Sequence, residues 1–142
     1  MNDYVLGFMF DQDMKTVLLI KKNRPDFLAG KLNGIGGKVE SDETPPNAMC
    51  REFLEESGIV CDSWNFLRTF YTDSYIHVFW AKGDPNSCVF GITDEELWVV
   101  EVDRVLSGEA IATINDQGLL PTDTVAPLIS ACIAANEIMM KS

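Results

Sequence analysis

Residues 37–59 read GKVESDETPPNAMCREFLEESGI, and this stretch constrains the chain more than any other. Thr44 can cap a helix, Pro45 suits its first position and Gly58 suits its end. Within that helix Glu52, Glu55 and Glu56 stand at i, i+3 and i+4, so they share one face. Like charges at such spacing cost on the order of 0.2–0.5 kcal/mol per pair. A cation between them reverses the sign. Hard carboxylate oxygens suit Mg²⁺, Mn²⁺ or Ca²⁺ rather than zinc. Arg51 is the only basic residue on the helix, whereas an ordinary solvated helix face intersperses Lys and Arg among its acids.

The rest of the chain supplies a framework for this helix. Its 142 residues, 46% of them hydrophobic, suit one domain over 1–142 with one packed interior. Residues 4–10 and 16–20 are apolar, β-rich runs separated by the turn signal Asp11-Gln12-Asp13. Residues 23–30 read as a loop. Met49, Phe53 and the pair Cys50 and Leu54 are expected on the buried side of the glutamate helix. Residues 64–71 and 75–81 read as two strands, 82–87 as a loop, 97–102 as a strand and 103–106 as the start of a short helix. Val125, Leu128, Ile129, Cys132, Ile133 and Met140 recur at helical spacing, which predicts an amphipathic core-packing helix over 123–140. The order is mixed α+β rather than alternating βαβ.

The net charge of −11 opposes nonspecific binding to nucleic-acid polymers or anionic lipid. Lys21, Lys22, Arg24, Lys31 and Lys38 form the one basic concentration, and a small phosphate-bearing substrate is compatible with it. No apolar run reaches membrane-spanning length and no signal peptide opens the chain, which points to a cytoplasmic protein. The four cysteines show no C-x-x-C spacing and read as reduced thiols, buried in the core.

The pattern G-x5-E-x7-R-E-U-x-E-E-x-G-U (U, apolar) is filled at all nine fixed positions of the 23-residue stretch. It resembles the Nudix box, and with the preceding LNGIG of residues 32–36 the chain is similar to the Nudix hydrolases. That resemblance implies an α/β/α sandwich with a mixed sheet between helices. It implies an Mg²⁺-dependent pyrophosphohydrolase, Mn²⁺ being a possible substitute, with Glu52, Glu55 and Glu56 as metal ligands. A backbone carbonyl of Gly36 or Gly37 adds a ligand. Arg51 is expected to orient a metal-binding glutamate, Glu43 to brace the loop, and Lys38 and Lys22 to meet phosphate. The base that deprotonates water differs among family members, which leaves Glu55 within the box and Glu95 in the acidic run 94–96. His77, the only histidine, reads as a packed or pocket-lining residue.

Residues 31–40 (KLNGIGGKVE) resemble the MutT-like group acting on oxidised purine nucleoside triphosphates such as 8-oxo-dGTP. The likeness makes Asn33 the reader of a purine edge and Asp123 a second base contact, with Phe27 as an aromatic wall. Thr122 stands where the mammalian branch of that group has another acid, and Leu120 where it has a tryptophan. The alternatives are a Nudix hydrolase of ADP-ribose, a dinucleoside polyphosphate or a nucleotide sugar, and a non-catalytic nucleotide-binding module. A monomer and a homodimer are both compatible with the sequence.

Overall fold

The protein is described here by a computed structural model covering residues 2–108 and 121–141. Strand β1 (Asp3–Phe10) is the axis of a seven-stranded mixed sheet. On one side it runs parallel to β6 (Tyr75–Lys82), which pairs antiparallel with the edge strand β5 (Asn65–Tyr71). Its other side is shared. Residues 9–10 pair with β2 (Thr16–Lys21), while residues 4–7 pair with β4 (Ile35–Lys38). The sheet therefore forks beside β1. The two-residue strand β3 (Leu32–Asn33) pairs with β2 at the fork, and β7 (Glu96–Glu101) also pairs with β2.

Both faces of the sheet are covered, which explains why its central strands read as continuous apolar runs. Phe8, Phe10, Val17, Leu19, Val78 and Trp80 point to one side. There they meet Val102 and Val105 of α2 (Val102–Leu106) and Val125, Leu128, Ile129 and Cys132 of α3 (Val125–Met140). Val5, Met9, Leu18, Ile20, Phe79 and Ala81 point to the other side, against Ala48, Met49 and Phe53 of α1 (Pro45–Ser57). Gly7 lets α1 sit close, because a Cβ there would fall 2.5 Å from Met49 Cε. The expected α/β/α sandwich is the fold found. Among the described residues no helix is long and apolar enough to cross a membrane.

Helix α1 has the ends its sequence predicts. Thr44 Oγ1 accepts the Asn47 N–H at 3.3 Å. Gly58 takes φ 76° and donates its N–H to Leu54 O at 2.9 Å. Its buried stripe differs from the expected one. Leu54 is 45% exposed and Cys50 half-buried, while Ala48 and Ser57 lie inside. The reason is angular: the stripe through 49, 53 and 57 leaves 50 and 54 turned toward its border. Ser57 tolerates burial because its hydroxyl donates to Phe53 O at 2.6 Å and accepts the Ile59 N–H at 3.1 Å.

Two further boundaries shift. The strand expected over 97–102 yields Val102 to α2, and the last helix starts at Val125, with Asp123 and Thr124 in the turn before it. Met140, expected in the core, is 72% exposed at the helix end. All four cysteines are free thiols.

Candidate active site

Arg51 organises the box. Its Nε donates to Glu43 Oε2 at 2.7 Å and its Nη2 to Glu43 Oε1 at 2.8 Å. Its Nη1 donates to Glu52 Oε1 at 2.9 Å and Glu55 Oε2 at 3.2 Å, and Nη2 also reaches Lys38 O at 3.0 Å. One guanidinium thus ties the loop before α1, the helix and the end of β4. Paired with Glu43, it is held firmly in its charged form. The reciprocal Arg51 bonds pull the Glu43 carboxyl down to about 2, with help from the Glu40 N–H at 2.9 Å.

Glu52 and Glu56 lie on the border of the packed face and are drawn against β4. Gly37 makes room, since a Cβ on it would fall 2.5 Å from Glu52 Cδ. A Cβ on Gly36 would run into the Val5 carbonyl. Burial raises the Glu52 carboxyl despite Arg51. Burial also pushes Glu56 up to about 7. The Glu52 and Glu95 charges add to that shift, while Lys22 and the Gly36 backbone N–H oppose it. Glu56 Oε2 is buried without a hydrogen-bond partner. Such an atom carries a full desolvation cost unless something outside the chain meets it. Glu55 is 57% exposed on its side chain.

Among the described residues, no three His, Cys, Asp or Glu side chains are arranged to hold a metal ion as they stand. Arg51 accounts for part of this, because it draws Glu52 and Glu55 toward itself. The donor set nonetheless fits a hard divalent cation: three carboxyl groups on one helix beside two glycines, with an orphaned carboxyl oxygen among them.

Beyond the box, the structure groups the other predicted residues in two places. Asn33, Phe27 and Asp123 line one cavity of about 530 Å³, floored by Leu6, Phe70 and Ile76. Asn33 Oδ1 accepts the Gly34 N–H at 2.8 Å, which fixes the amide. Thr122 donates its N–H to Leu32 O at 2.9 Å, docking the segment before α3 onto β3. Its hydroxyl lies 3.2 Å from that of Thr124 at the same wall. Leu120 lies outside the described residues. An adjoining cleft shares Phe27, Leu28 and Asn33 with this cavity and runs on to Lys22, Gly36 and Gly37. The cleft thus extends the cavity as far as the two glycines of β4, and none of the box glutamates lines it. Lys38 is exposed at the end of β4 and does not line either space.

Sequence reasoning missed the pairing of two charge runs about 70 positions apart. Lys21 pairs with Glu96 at 3.2 Å, Lys22 with Glu95 at 3.4 Å and Arg24 with Asp94 at 3.0 Å. The opposite signs of KKNR and DEE were the available signal. His77 lies beside β1 and β5, with Nδ1 2.8 Å from Thr69 Oγ1 and Nε2 3.8 Å from Asp3 Oδ2. It lines neither the cavity nor the cleft.

Comparison with known proteins bears on family and fold. The family described as "NUDIX domain" matches residues 2–117. Over 47 residues the chain is 55% identical to the oxidized purine nucleoside triphosphate hydrolase of Danio rerio, a stretch covering 33% of this chain and 30% of that relative. The chain thus spans under a third of that curated relative's length. A MutT structure from a study of Aliivibrio salmonicida and Vibrio cholerae superposes with a TM-score of 0.71 at 22% identity, covering 92% of this chain and 98% of that one. The NUDIX domain of Shewanella oneidensis NrtR, complexed with ADP ribose, superposes at 0.72 with 19% identity, covering 94% and 86%. At these identities the two structures speak to fold alone.

Proposed function

The chain belongs to the Nudix family, and from that premise we propose that it hydrolyses a purine nucleoside triphosphate to the monophosphate and pyrophosphate. The observation that carries this reading is the continuous space from the Asn33 cavity to the glycines beside Glu52 and Glu56. A base at one end places its phosphates at the other. The identity shared with an oxidized purine nucleoside triphosphate hydrolase supports the same substrate class.

Each residue has a definite task in this reading. The Asn33 amide, pinned by Gly34, offers its remaining donor and acceptor capacity to a purine edge, and Asp123 accepts from an exocyclic amine. Phe27 covers one face of the base. Lys22, at the cleft, counters phosphate charge, and Lys38 does so from the strand end. Glu52, Glu55 and Glu56 would hold Mg²⁺, with Mn²⁺ as an alternative, and a carbonyl of Gly36 or Gly37 beside them. When bound, the cation supplies charge neutralisation of the phosphates and acidification of water. Arg51 keeps the glutamate side chains in register and Glu43 keeps Arg51 in place. The attacking water oxygen forms a bond to phosphorus as the bridging P–O bond breaks and pyrophosphate leaves. Glu55, the most accessible of the three, takes the water proton.

A nucleotide panel tests this: purine and pyrimidine triphosphates, oxidised and methylated purines, ADP-ribose and a dinucleoside polyphosphate, each with Mg²⁺ and product analysis. Purine triphosphates should be cut fastest, and Asp123→Ala or Asn33→Ala should flatten the ranking. A site that hydrogen-bonds a base penalises one that leaves its polar groups unpaired. Preference for ADP-ribose, or a ranking that neither variant changes, refutes the purine assignment.

A further inference from the structure

The segment 23–30 carries Phe27 and Leu28, yet it has little apolar anchorage of its own. Phe27 is 74% exposed. The neck of the segment is closed by two backbone bonds of Lys22, from its N–H to Lys31 O at 2.8 Å and from the Gly30 N–H to its carbonyl at 2.8 Å. Inside, the Leu28 and Ala29 N–H groups wind onto Pro25 O at 2.9 and 3.1 Å. These bonds shape the segment but do not fix it against the body of the protein.

A polar clasp does. Glu95 Oε2 accepts the Asn23 N–H at 2.6 Å, and Oε1 faces Lys22 Nζ at 3.4 Å. Asn23 Nδ2 donates to Asp94 O at 2.9 Å, and Arg24 Nη2 reaches both Asp94 oxygens at 3.0 and 3.3 Å. Glu95 is itself steadied by Thr93, whose Oγ1 accepts its N–H at 3.2 Å. The contacts differ in weight. Arg24 and Asp94 are both largely exposed, so that pair is screened and weak. The Glu95 side chain is only 10% exposed and both of its oxygens are engaged, so it dominates the clasp.

We propose that Glu95 is a positioning residue that clasps segment 23–30 so that Phe27 and Leu28 wall the nucleotide cavity. This rests on the nucleotide reading above and assigns Glu95 a task distinct from proton abstraction. A carboxylate with both oxygens occupied is poorly placed to receive a proton from water. It is well placed to set where the base-binding wall stands, and so to act on KM rather than on kcat.

The test compares Glu95→Ala and Glu95→Gln in the Mg²⁺-loaded enzyme, with steady-state kinetics on the preferred triphosphate and hydrogen exchange of residues 22–31. Loss of a charge-assisted hydrogen bond predicts that Glu95→Ala raises KM about tenfold while kcat stays within about twofold. Exchange across 22–31 should quicken in the same variant. Glu95→Gln keeps an oxygen that accepts the Asn23 N–H, so it should stay near wild type in both readouts. Asp94→Asn, which weakens only the Arg24 pair, should move both in the direction of Glu95→Ala but by less. A hundredfold drop in kcat for Glu95→Gln, the result for a general base, overturns the proposal. So does unchanged exchange in Glu95→Ala. The exchange measurement needs no turnover, so it decides the clasp even if no nucleotide proves to be a substrate.

Discussion

Arg51 grips Glu43 with two parallel hydrogen bonds, Nε to Oε2 at 2.7 Å and Nη2 to Oε1 at 2.8 Å. A fork of this kind needs the planar guanidinium, and a lysine cannot reproduce it. Arg51→Lys should therefore loosen Glu43, Glu52 and Glu55 together, lowering kcat more than it lowers melting temperature. The pairing also has a pH signature. The Glu43 carboxyl falls from 4.5 to about 2 in the folded protein. A depressed carboxyl contributes stability above its unfolded value, and that contribution is lost as pH falls through the folded one. The melting-temperature gap between wild type and Glu43→Gln should be full at neutral pH and close between about pH 4.5 and 2. A gap that is constant down to pH 2 would place the role of Glu43 elsewhere.

Gly37 and Gly36 should separate function from folding. A Cβ on Gly37 meets the end of the flexible Glu52 side chain at 2.5 Å, so that side chain can swing away at little cost to the fold. Gly37→Ala should melt near wild type yet lose activity, by about tenfold or more if Glu52 is displaced by an ångström. A Cβ on Gly36 meets the Val5 backbone instead, which cannot swing away. Gly36→Ala should cost on the order of 1–3 kcal/mol of stability, as overpacking does. Denaturant melts of the two variants, set beside their kcat values, check this division. Equal destabilisation of both would contradict it.

Glu56 is buried with one oxygen unpartnered beside the Glu52 charge. Without metal at neutral pH, Glu56→Gln removes a partly ionised carboxyl whose charge is opposed first by burial and then by Glu52, and it should melt at or above the wild-type temperature. Adding Mg²⁺ should stabilise the wild type, because a ligand that binds only the folded state adds stability by mass action. The same addition should do much less for Glu56→Gln. Thermal melts in EDTA and in excess Mg²⁺ read both effects, and an equal Mg²⁺ shift in the two proteins would remove Glu56 from the cation site.

Most of the sandwich was legible because local signals agreed with the tertiary outcome. Thr44, Pro45 and Gly58 delimit α1 whatever packs against it, and the two-sided burial of β1, β2 and β6 is written as apolar runs. Where the reading failed, the deciding information was nonlocal. Leu54 and Met140 are apolar and lie near the right helical phase, yet neither is buried by its surroundings, and Met140 Sδ meets the end of the Lys82 side chain at 3.8 Å. The short strands β3 and β4 lack a period, and they form because β2 and β1, respectively, offer them a free edge. The site divides in the same way. The carboxylates of the box follow from spacing alone. The clasp between residues 22–24 and 94–95 depends on β2 lying beside β7, which no single stretch of sequence specifies.

The central claim is that Glu52, Glu55 and Glu56 form the cation site at which a nucleoside polyphosphate is cut. Steady-state kcat of Glu56→Gln with Mg²⁺, on the substrate the wild type cuts fastest, tests it most directly, since the change keeps size and removes charge. The account predicts a fall of at least about a hundredfold, roughly 2.7 kcal/mol of barrier, in a protein with an unaltered circular dichroism spectrum. A folded Glu56→Gln enzyme turning over at near the wild-type rate would contradict it.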